Sequence, residues 1–493
     1  MDQPMMAFLM GIVLTDKQSI DKAPSRDDNK SLGEKKEREM QKIFALGSNG
    51  SGQLGIGHRD DVSVPTECLF DEDTKTSNEN SITASQGIGE GRERKVKRIV
   101  CGGNHTIILL EDGAVYAAGL NDDLRCGVCI SSRLERRDQE GSEKEDGILR
   151  RFRRVKFRRR STGAVIDRFK DVCATWSATC FIAVTSSSNN TCEKDVVIPL
   201  GSGDKGELGL GPGRRSTAPA SREVDDSIID TDDYLIPDFP PPNTYIEAIG
   251  SGTNHVVAIL SNGDVYGWGA SRKGQLGTDS ELIKNKIVWS PVKIASAELL
   301  KEEFMPRSVS CGREFTFMGG YKKNKPLEGG DDSAGYIYTI LGVDDKWNIM
   351  SAAPSVQTLQ KTSQTQKRYD VSTSWHGIYL HNTLDNSVIA WGRNDRGQLG
   401  PHQQQEHSLV RWESVAQFMA GSEHTVAVLS DNRTVVSCGW GEHGNCGSDT
   451  DDHGNVKGRL SQIRLPDDAL HNNEAKVVRV AAGCATSWIV VSS

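Results

Sequence analysis

Residues 246–277 read IEAIGSGTNHVVAILSNGDVYGWGASRKGQLG. Two apolar runs, HVVAIL and VYGWG, flank the dipeptide Asn262-Gly263, which supplies the positive φ of a hairpin turn. A glycine-rich stretch comes before the first run, and a Gly-Gln-Leu-Gly stretch follows the second. This pattern predicts short strands joined by tight turns. A single sheet of this kind cannot bury both of its faces, so it needs neighbours.

The same pattern recurs along the chain, which ends on the first half of a repeat (477–491) and opens on the second half (43–57). The other copies, two of them interrupted, occupy residues 96–127, 171–184 with 197–211, 307–320 with 335–350, 371–400 and 415–447. Six whole copies and one shared copy predict an all-β fold, a seven-bladed β-propeller. Its last blade is expected to be closed by the N- and C-terminal strands.

The propeller is expected over residues 41–493, after a polar and disordered N-terminal extension at residues 1–40. An alternative interpretation of this segment is that the protein starts at Met40. An apolar stretch at residues 5–14 is too short to span a bilayer, so no membrane association is predicted. Polar segments predicted to be disordered insertions lie at about 71–94, 130–168, 212–243, 321–334 and 351–368.

Composition narrows the function classes. The formal net charge is -8, and an acidic chain does not attract nucleic acid non-specifically. The 11 cysteines are an odd number, and several lie in apolar runs, which predicts a reducing compartment: the cytoplasm, and also the nucleus. Cys126 and Cys129 have the spacing of half a zinc site, but nothing completes it. We therefore predict a protein that is not an enzyme and has no metal and no cofactor.

The repeats resemble those of the regulator-of-chromosome-condensation family, whose fold is a seven-bladed propeller. Within it, FALGSNGSGQLGIGHRDDVSVPT (44–66) and CGREFTF (311–317) resemble the fungal alpha-tubulin suppressor proteins. That resemblance implies a scaffold that binds the small zinc-binding diphthamide biosynthesis protein 3. It also implies an indirect link to the Elongator complex, and so a role in transfer-RNA wobble uridine modification and diphthamide synthesis.

The founding activity of the repeat family is the alternative, namely guanine-nucleotide exchange on a Ran-type small GTPase. The repeats of the founder carry a recurrent histidine. At the position immediately before it, an acidic residue in one repeat and a histidine in another matter for exchange. The alignment of this chain offers Glu314 and Glu423 at that position but no histidine, which weakens this alternative. A substrate-binding module of a ubiquitin ligase is a third hypothesis.

His105, His255 and His424 recur at one repeat position, which favours a structural role with hydrogen bonds to backbone between blades. The residue before this position is predicted to ring the mouth of the channel, where a tryptophan is a good anchor for a partner. The alternative is that the tryptophans fill space left by missing histidines. With Arg313 beside the ring, the predicted partner-binding residues are Asn104, Trp176, Asn254, Arg313, Glu314, Trp375 and Glu423.

One insertion ends in a basic run. Eight of the eleven residues from Arg150 to Arg160 are basic, with Phe152 and Phe157 between them. Basic residues interleaved with aromatic ones are typical of surfaces that bind RNA or an acidic protein. The alternative is a solvated loop that balances nearby acids: Glu143, Glu145 and Asp146.

Overall fold

The computed structural model describes residues 41–71, 94–129, 147–187, 190–213, 228–294, 304–322, 336–343, 346–355, 359, 369–401, 409–470 and 474–492. The N-terminal extension lies outside the described residues, as does most of the predicted insertions at 71–94, 321–334 and 351–368 and a smaller part of those at 130–168 and 212–243. In the described part no helix has the length and apolar character needed to cross a membrane.

Short strands dominate the described residues, which contain one helix, α1 (Ser280–Asn285). The strands are β1 (Gln41–Gly47), β2 (Val62–Glu67), β3 (Val96–Cys101), β4 (His105–Leu110), β5 (Val115–Leu120), β6 (Ile148–Arg154), β7 (Phe157–Arg158), β8 (Val165–Ile166), β9 (Asp171–Ala174), β10 (Ala178–Ser187), β11 (Asn190–Gly201), β12 (Ile229–Asp230), β13 (Ile246–Ser251), β14 (His255–Leu260), β15 (Val265–Ala270), β16 (Ile287–Lys293), β17 (Phe304–Cys311), β18 (Phe315–Lys322), β19 (Ile337–Gly342), β20 (Tyr369–Ser374), β21 (Gly377–Asn382), β22 (Ser387–Gly392), β23 (Val410–Trp412), β24 (Val415–Ala420), β25 (His424–Leu429), β26 (Val435–Trp440), β27 (Asn455–Ile463), β28 (Lys476–Ala482) and β29 (Thr486–Ser492).

Consecutive strands pair antiparallel into sheets. The first sheet is β3-β4-β5-β6, the second β9-β10-β11, the third β13-β14-β15-β16, the fourth β17-β18-β19, the fifth β20-β21-β22-β23 and the sixth β24-β25-β26-β27. The innermost strands contact one another in the cyclic order β3, β9, β13, β17, β20, β24, β28 and back to β3. The sheets therefore surround a central axis, as in a propeller.

The two ends of the described chain share one sheet, with the order β2-β1-β29-β28. Phe44 of β1 lies directly opposite Ile489 of β29, and the pairing extends from Gln41↔Ser492 to Gly47↔Thr486. The predicted closure of the last blade is confirmed. We call this the closing sheet.

The predicted number of seven blades is wrong, because the described residues form eight sheets. The one that the repeats did not predict is β12-β7-β8, in which each strand has only two residues and β12 runs parallel to β7. It arises from two segments that were expected to be disordered, 130–168 and 212–243. The described part of the first also carries β6, the outer strand of the first sheet. Arginines of the first segment form ion pairs with aspartates of the second. We call β12-β7-β8 the mixed sheet.

Glycines let neighbouring sheets approach near the axis. A Cβ on Gly102 would lie 2.7 Å from the carbonyl oxygen of Thr175 in the second sheet, and also against the ring of His105. At the outer turns Gly113 and Gly263 both have φ of +83°, whereas Asp112 and Asn262 do not have positive φ. The predicted left-handed turn residue is therefore the glycine alone.

Candidate site at the channel mouth

The loops that follow the innermost strands lie at one end of the sheets. In each sheet the loop between the first and second strands lies at one end. Because the strands are antiparallel, the third strand also finishes at that end. Backbone bonds show this contact: Leu120 N–H donates to Asn104 O, and Ala270 N–H donates to Asn254 O, both at 2.8 Å. We call this end the mouth.

Below the mouth, the innermost strands enclose a cavity of about 310 Å³. Its wall is polar as well as apolar, and it includes Arg98, Cys101, Thr175, Ser310, Thr373 and Arg479. The Arg98 Nη1 atom lies 2.8 and 3.0 Å from the two carboxylate oxygens of Asp171 on the next innermost strand.

The structure changes the register of the predicted ring. His105 lies opposite Gly119, and the matching pairs are Ala178↔Gly201 and Gly377↔Gly392. Ala178 and Gly377 thus occupy the histidine position, so Trp176 and Trp375 lie two residues before it and not one. The residues immediately before it are Asn104, Ser177, Asn254, Glu314, His376, Glu423 and Ala485. A histidine, His376, is therefore present in the ring after all.

The two tryptophans meet across the mouth. Trp176 belongs to the second sheet and Trp375 to the fifth, yet their ring centroids are 6.1 Å apart with a 45° angle between the planes. The guanidinium of Arg313 lies 5.4 Å from the centroid of Trp375, within cation–π range. Trp176 packs over Gly103, where a Cβ would lie 2.6 Å from the indole ring, and it stays 40% exposed. These residues form what we call the aromatic cap.

Backbone bonds hold the cap in place. Gly103 N–H donates to Trp176 O at 2.8 Å, and Arg313 N–H donates to Trp375 O at 3.0 Å. Trp375 N–H in turn donates to Ser422 O at 3.0 Å. Each of these bonds joins two different sheets, so the positions of the rings are set by the propeller itself.

The two acids of the ring differ in their environment. Glu423 is only 7% exposed and is held by two guanidinium groups, Arg393 and, at 3.2 Å, Arg396. Glu314 is more open and pairs with Lys273 at 3.6 Å. Both acids are therefore neutralised within the chain, Glu423 more completely than Glu314.

A second aromatic group lies beside His376 and was not predicted. The Trp347 ring is 6.1 Å from the His376 ring, and the Arg393 guanidinium lies 4.8 Å from the Trp347 centroid. The glycine that ends the third strand, such as Gly392, marks the register in the sequence more reliably than the histidine does. Anchoring the repeats on it would have placed His376 in the ring.

Comparison with known proteins agrees with this architecture. A model of the RCC1-like domain, named WD40_RLD, matches residues 42–489. The chain belongs to the RCC1-like domain family.

The similarity to several relatives and solved structures covers most of the chain. An RCC1 repeat-containing protein of Schizosaccharomyces pombe is 26% identical over 91% of this chain and 98% of its own length. The secretion-regulating guanine nucleotide exchange factor of Bos taurus is 23% identical, covering 83% and 76%. Prp20p of Saccharomyces cerevisiae, studied with its binding to Gsp1p and histones, has a TM-score of 0.58 at 14% identity, covering 92% of each chain. The last similarity shows the fold alone.

The recurrent histidines of this RCC1-like domain are buried between sheets. The Nε2 atoms of His105, His255 and His424 lie 2.8, 3.0 and 3.0 Å from hydroxyl oxygens of the next sheet, on Thr179, Thr316 and Ser487. Thr316 and Ser487 donate their own protons to carbonyl oxygens, so Nε2 donates to the hydroxyl. The histidines thus bond side chains of the neighbouring sheet.

The basic run pairs with acids of the same chain. Arg153 lies 2.6 Å from Asp71, and Arg154 lies 3.2 Å from Asp167. The three last arginines reach the acidic end of the other insertion: Arg158–Asp230 at 2.8 Å, Arg159–Asp232 at 2.7 Å and Arg160–Asp233 at 3.3 Å. The Glu143, Glu145 and Asp146 carboxylates that were expected to balance the run lie outside the described residues. We call these last three pairs the arginine–aspartate zipper.

The aromatic residues of the run are core residues. Phe152 and Phe157 have no exposed surface. Phe157 packs against Phe169 and Phe181, with centroids at 5.5 and 5.2 Å. Neither ring is available to stack on a base of RNA.

Breaking the zipper should expose a polyanion-binding surface. In the variant Asp230→Asn, Asp232→Asn, Asp233→Asn the three arginines lose their carboxylates, and each becomes able to contact a phosphate. We expect tighter binding to single-stranded RNA and a slope of log K against log salt steeper by about 2. Fluorescence anisotropy over a salt series measures both.

A variant with the same charge change elsewhere is the control for that experiment. Glu413, Asp452 and Asp467 are exposed, so Glu413→Gln, Asp452→Asn, Asp467→Asn adds the same charge away from the zipper. Equal RNA affinity of the two variants would mean that net charge alone accounts for the binding.

The first cysteine of the Cys126–Cys129 pair lies in the core. Cys126 is buried, its Sγ is within 3.3 Å of the carbonyl oxygen of Leu120, and burial raises the pKa of its thiol. Within the described ranges no group of three or more His, Cys, Asp or Glu side chains could hold a metal ion.

Proposed function

We propose that this chain is a non-enzymatic docking platform that receives a protein partner on its mouth. The observation that supports this most directly is the aromatic cap, in which Trp176 and Trp375 meet over the channel while Trp176 stays 40% exposed. Exposed tryptophan at a fixed position is a feature of interface hot spots, because it buries a large area at little conformational cost. Arg313 adds a charged donor at the same place.

The small zinc-binding diphthamide biosynthesis protein 3 is the partner we propose first. This proposal is based on the resemblance of residues 44–66 and 311–317 to the suppressor proteins. Through that partner the chain would support Elongator-dependent wobble uridine modification and diphthamide synthesis. The second of the two segments carries Arg313 and Glu314, so the resemblance falls on the mouth.

Nucleotide exchange on a Ran-type GTPase is the second candidate, and the corrected register favours it. His376 takes its place in the ring between Glu314 and Glu423 of the adjoining sheets. This supplies the acid and histidine that the founding activity uses. The similarity to the secretion-regulating guanine nucleotide exchange factor supports the same candidate. The engagement of Glu423 by two arginines counts against it.

Removal of a cap tryptophan should weaken partner binding. We expect Trp375→Ala to cost about 2 kcal/mol, roughly a 30-fold rise in Kd for the zinc protein, because an anchor loses its buried area. Isothermal titration with the purified partner measures it. Trp289→Ala, on the outer strand β16, is the matched control and should leave Kd unchanged. An unchanged Kd for Trp375→Ala, with the fold intact, would exclude the cap from the interface.

A nucleotide-release assay separates the two partners. Under the exchange candidate, catalytic amounts of the chain should accelerate release of a fluorescent GDP from a Ran-type GTPase. His376→Ala should then reduce that acceleration by about tenfold, the rate equivalent of losing one hydrogen bond of about 1.4 kcal/mol to the GTPase. Under the first proposal, release stays at its intrinsic rate while the zinc protein forms a stable complex on gel filtration. Acceleration without such a complex would overturn the first proposal.

A further inference from the structure

The turn between β7 and β8 carries a hydroxyl residue directly after the three arginines of the zipper. Ser161 is exposed, and Arg158 and Arg159 stand three and two residues before it. Backbone hydrogen bonds to Arg159 close the turn: Gly163 N–H donates to Arg159 O at 2.7 Å, Thr162 N–H donates to the same oxygen at 3.3 Å, and Arg159 N–H donates to Ala164 O at 2.8 Å. Residues 160–165 are all exposed, so opening this turn can leave the buried Phe157 in place.

Ser161 also contacts the acidic side of the zipper. Its backbone N–H donates to Asp232 Oδ2 at 2.7 Å, while Arg159 Nε donates to Asp232 Oδ1 at 2.7 Å. Burial raises the pKa of Asp232, but hydrogen bonds from the Ser161 backbone, the Arg159 side chain and the Ser161 hydroxyl outweigh it, and the net pKa is lowered. The hydroxyl therefore lies beside a carboxylate that depends on these donors.

We propose that Ser161 is a phosphorylation site for a protein kinase that selects arginine before its target, and that the phosphate releases the zipper. In the transfer the Ser161 Oγ attacks the γ-phosphorus of ATP, and a new O–P bond forms. The bond from that phosphorus to the bridging oxygen breaks and ADP leaves. The hydroxyl proton passes to the carboxylate base of the kinase.

The effect on the zipper follows from charge. The phosphate brings close to two negative charges and three acceptor oxygens next to Asp232, and like charges at this separation repel. Arginine binds phosphate with the same bidentate geometry with which it binds carboxylate. Arg158, Arg159 and Arg160 then have an alternative partner on their own turn. The acidic strand loses its ion pairs, and β12 separates from β7.

Ser161 is the better target of the two hydroxyl residues in the turn. Three arginines precede it directly, and its phosphate would face Asp232. The Thr162 hydroxyl instead accepts from Ala164 N–H at 3.3 Å within the turn. A similar sequence, Arg214-Arg215-Ser216-Thr217, lies outside the described residues and is an internal competitor for the same kinase.

The test uses the full chain, ATP and the catalytic subunit of cyclic-AMP-dependent protein kinase, with the modified residue located by mass spectrometry. We expect phosphate on Ser161, loss of that phosphate in Ser161→Ala and its retention in the matched control Thr162→Ala. Hydrogen exchange then reports the zipper through the Thr231 amide, which donates to Arg158 O at 2.9 Å. Its exchange should accelerate by at least about tenfold on phosphorylation, and in the same direction in Ser161→Glu.

Three results would overturn the proposal. The first is absence of phosphate from Ser161 while residues 216 and 217 or Thr162 are modified. The second is no incorporation at all. The third is phosphate on Ser161 with unchanged exchange at Thr231, which would leave the ion pairs in place. None of these measurements involves the mouth, so they do not depend on the docking function.

Discussion

Lowering the pH from 7 to about 5 is expected to destabilise the folded chain by roughly 6 kcal/mol through the three recurrent histidines alone. Burial lowers the pKa of His105 from 6.5 to about 3, with a contribution from the charge of Arg125. Burial likewise lowers the pKa of His255 and His424 to about 4. In the unfolded chain each histidine takes up a proton below its ordinary pKa of about 6.5, whereas in the fold it stays neutral until its lowered pKa.

The sign and the pH window follow from these values. Above about pH 6.5 the histidines are neutral in both states, and they add no pH dependence. Between about pH 6.5 and 4 the unfolded state binds up to three more protons, so the free energy of unfolding falls as the pH falls, by roughly 4 kcal/mol per pH unit at the steepest point. Carboxylates whose pKa is lowered, such as Asp230 and Asp395, destabilise the fold only at lower pH.

Urea denaturation at a series of pH values measures this loss. His424→Asn removes one of the three titrating groups while keeping a side-chain donor, so the slope should fall from about three protons to about two. His453→Asn is the matched control, because His453 is exposed. A free energy of unfolding that stays level between pH 7 and 5 would show that these imidazoles become protonated inside the fold.

Strand periodicity was enough to predict the propeller and its closure, because each repeat carries its own turn glycine and its own apolar alternation. The closing pair Phe44↔Ile489 is a direct consequence of the half-repeats at the two ends. The mixed sheet could not be predicted in this way. Its strands are two residues long, and the ion pairs and buried contacts that join them link segments about 70 residues apart, as Arg158 and Asp230 do.

The candidate site was predicted in part. The sequence indicated the loops that form the mouth, and both tryptophans do lie there. The predicted register is wrong by one residue, because the sequence pattern favours Ser177 and His376 at the histidine position that Ala178 and Gly377 occupy. Because of this shift, the prediction left His376 out of the ring. The contact between Trp176 and Trp375 depends on the curvature of the whole ring, which no single repeat encodes.

Phe152→Ala is expected to lower the free energy of unfolding by about 3–5 kcal/mol, the cost of a large cavity in a packed core. The ring lies between Phe70 and Trp488, with centroids at 5.3 and 6.1 Å, and has no exposed surface. A Cβ on Gly55 would lie 2.5 Å from one of its ring carbons, so the first sheet and the closing sheet pack tightly at this point.

The same substitution distinguishes a core residue from an RNA-stacking residue. If Phe152 is core, urea denaturation shows the loss of stability, while the affinity of the still-folded variant for single-stranded RNA stays at the wild-type value. Lys156→Ala, at an exposed position of the same basic run, is the control, and its stability should stay within about 0.5 kcal/mol of wild type. Base stacking on an aromatic side chain contributes about 1–3 kcal/mol per base, so an RNA-binding role would appear as a clear loss of affinity without a loss of stability. That outcome would require the Phe152 ring to leave the core, which the packing of Gly55, Phe70 and Trp488 around it opposes.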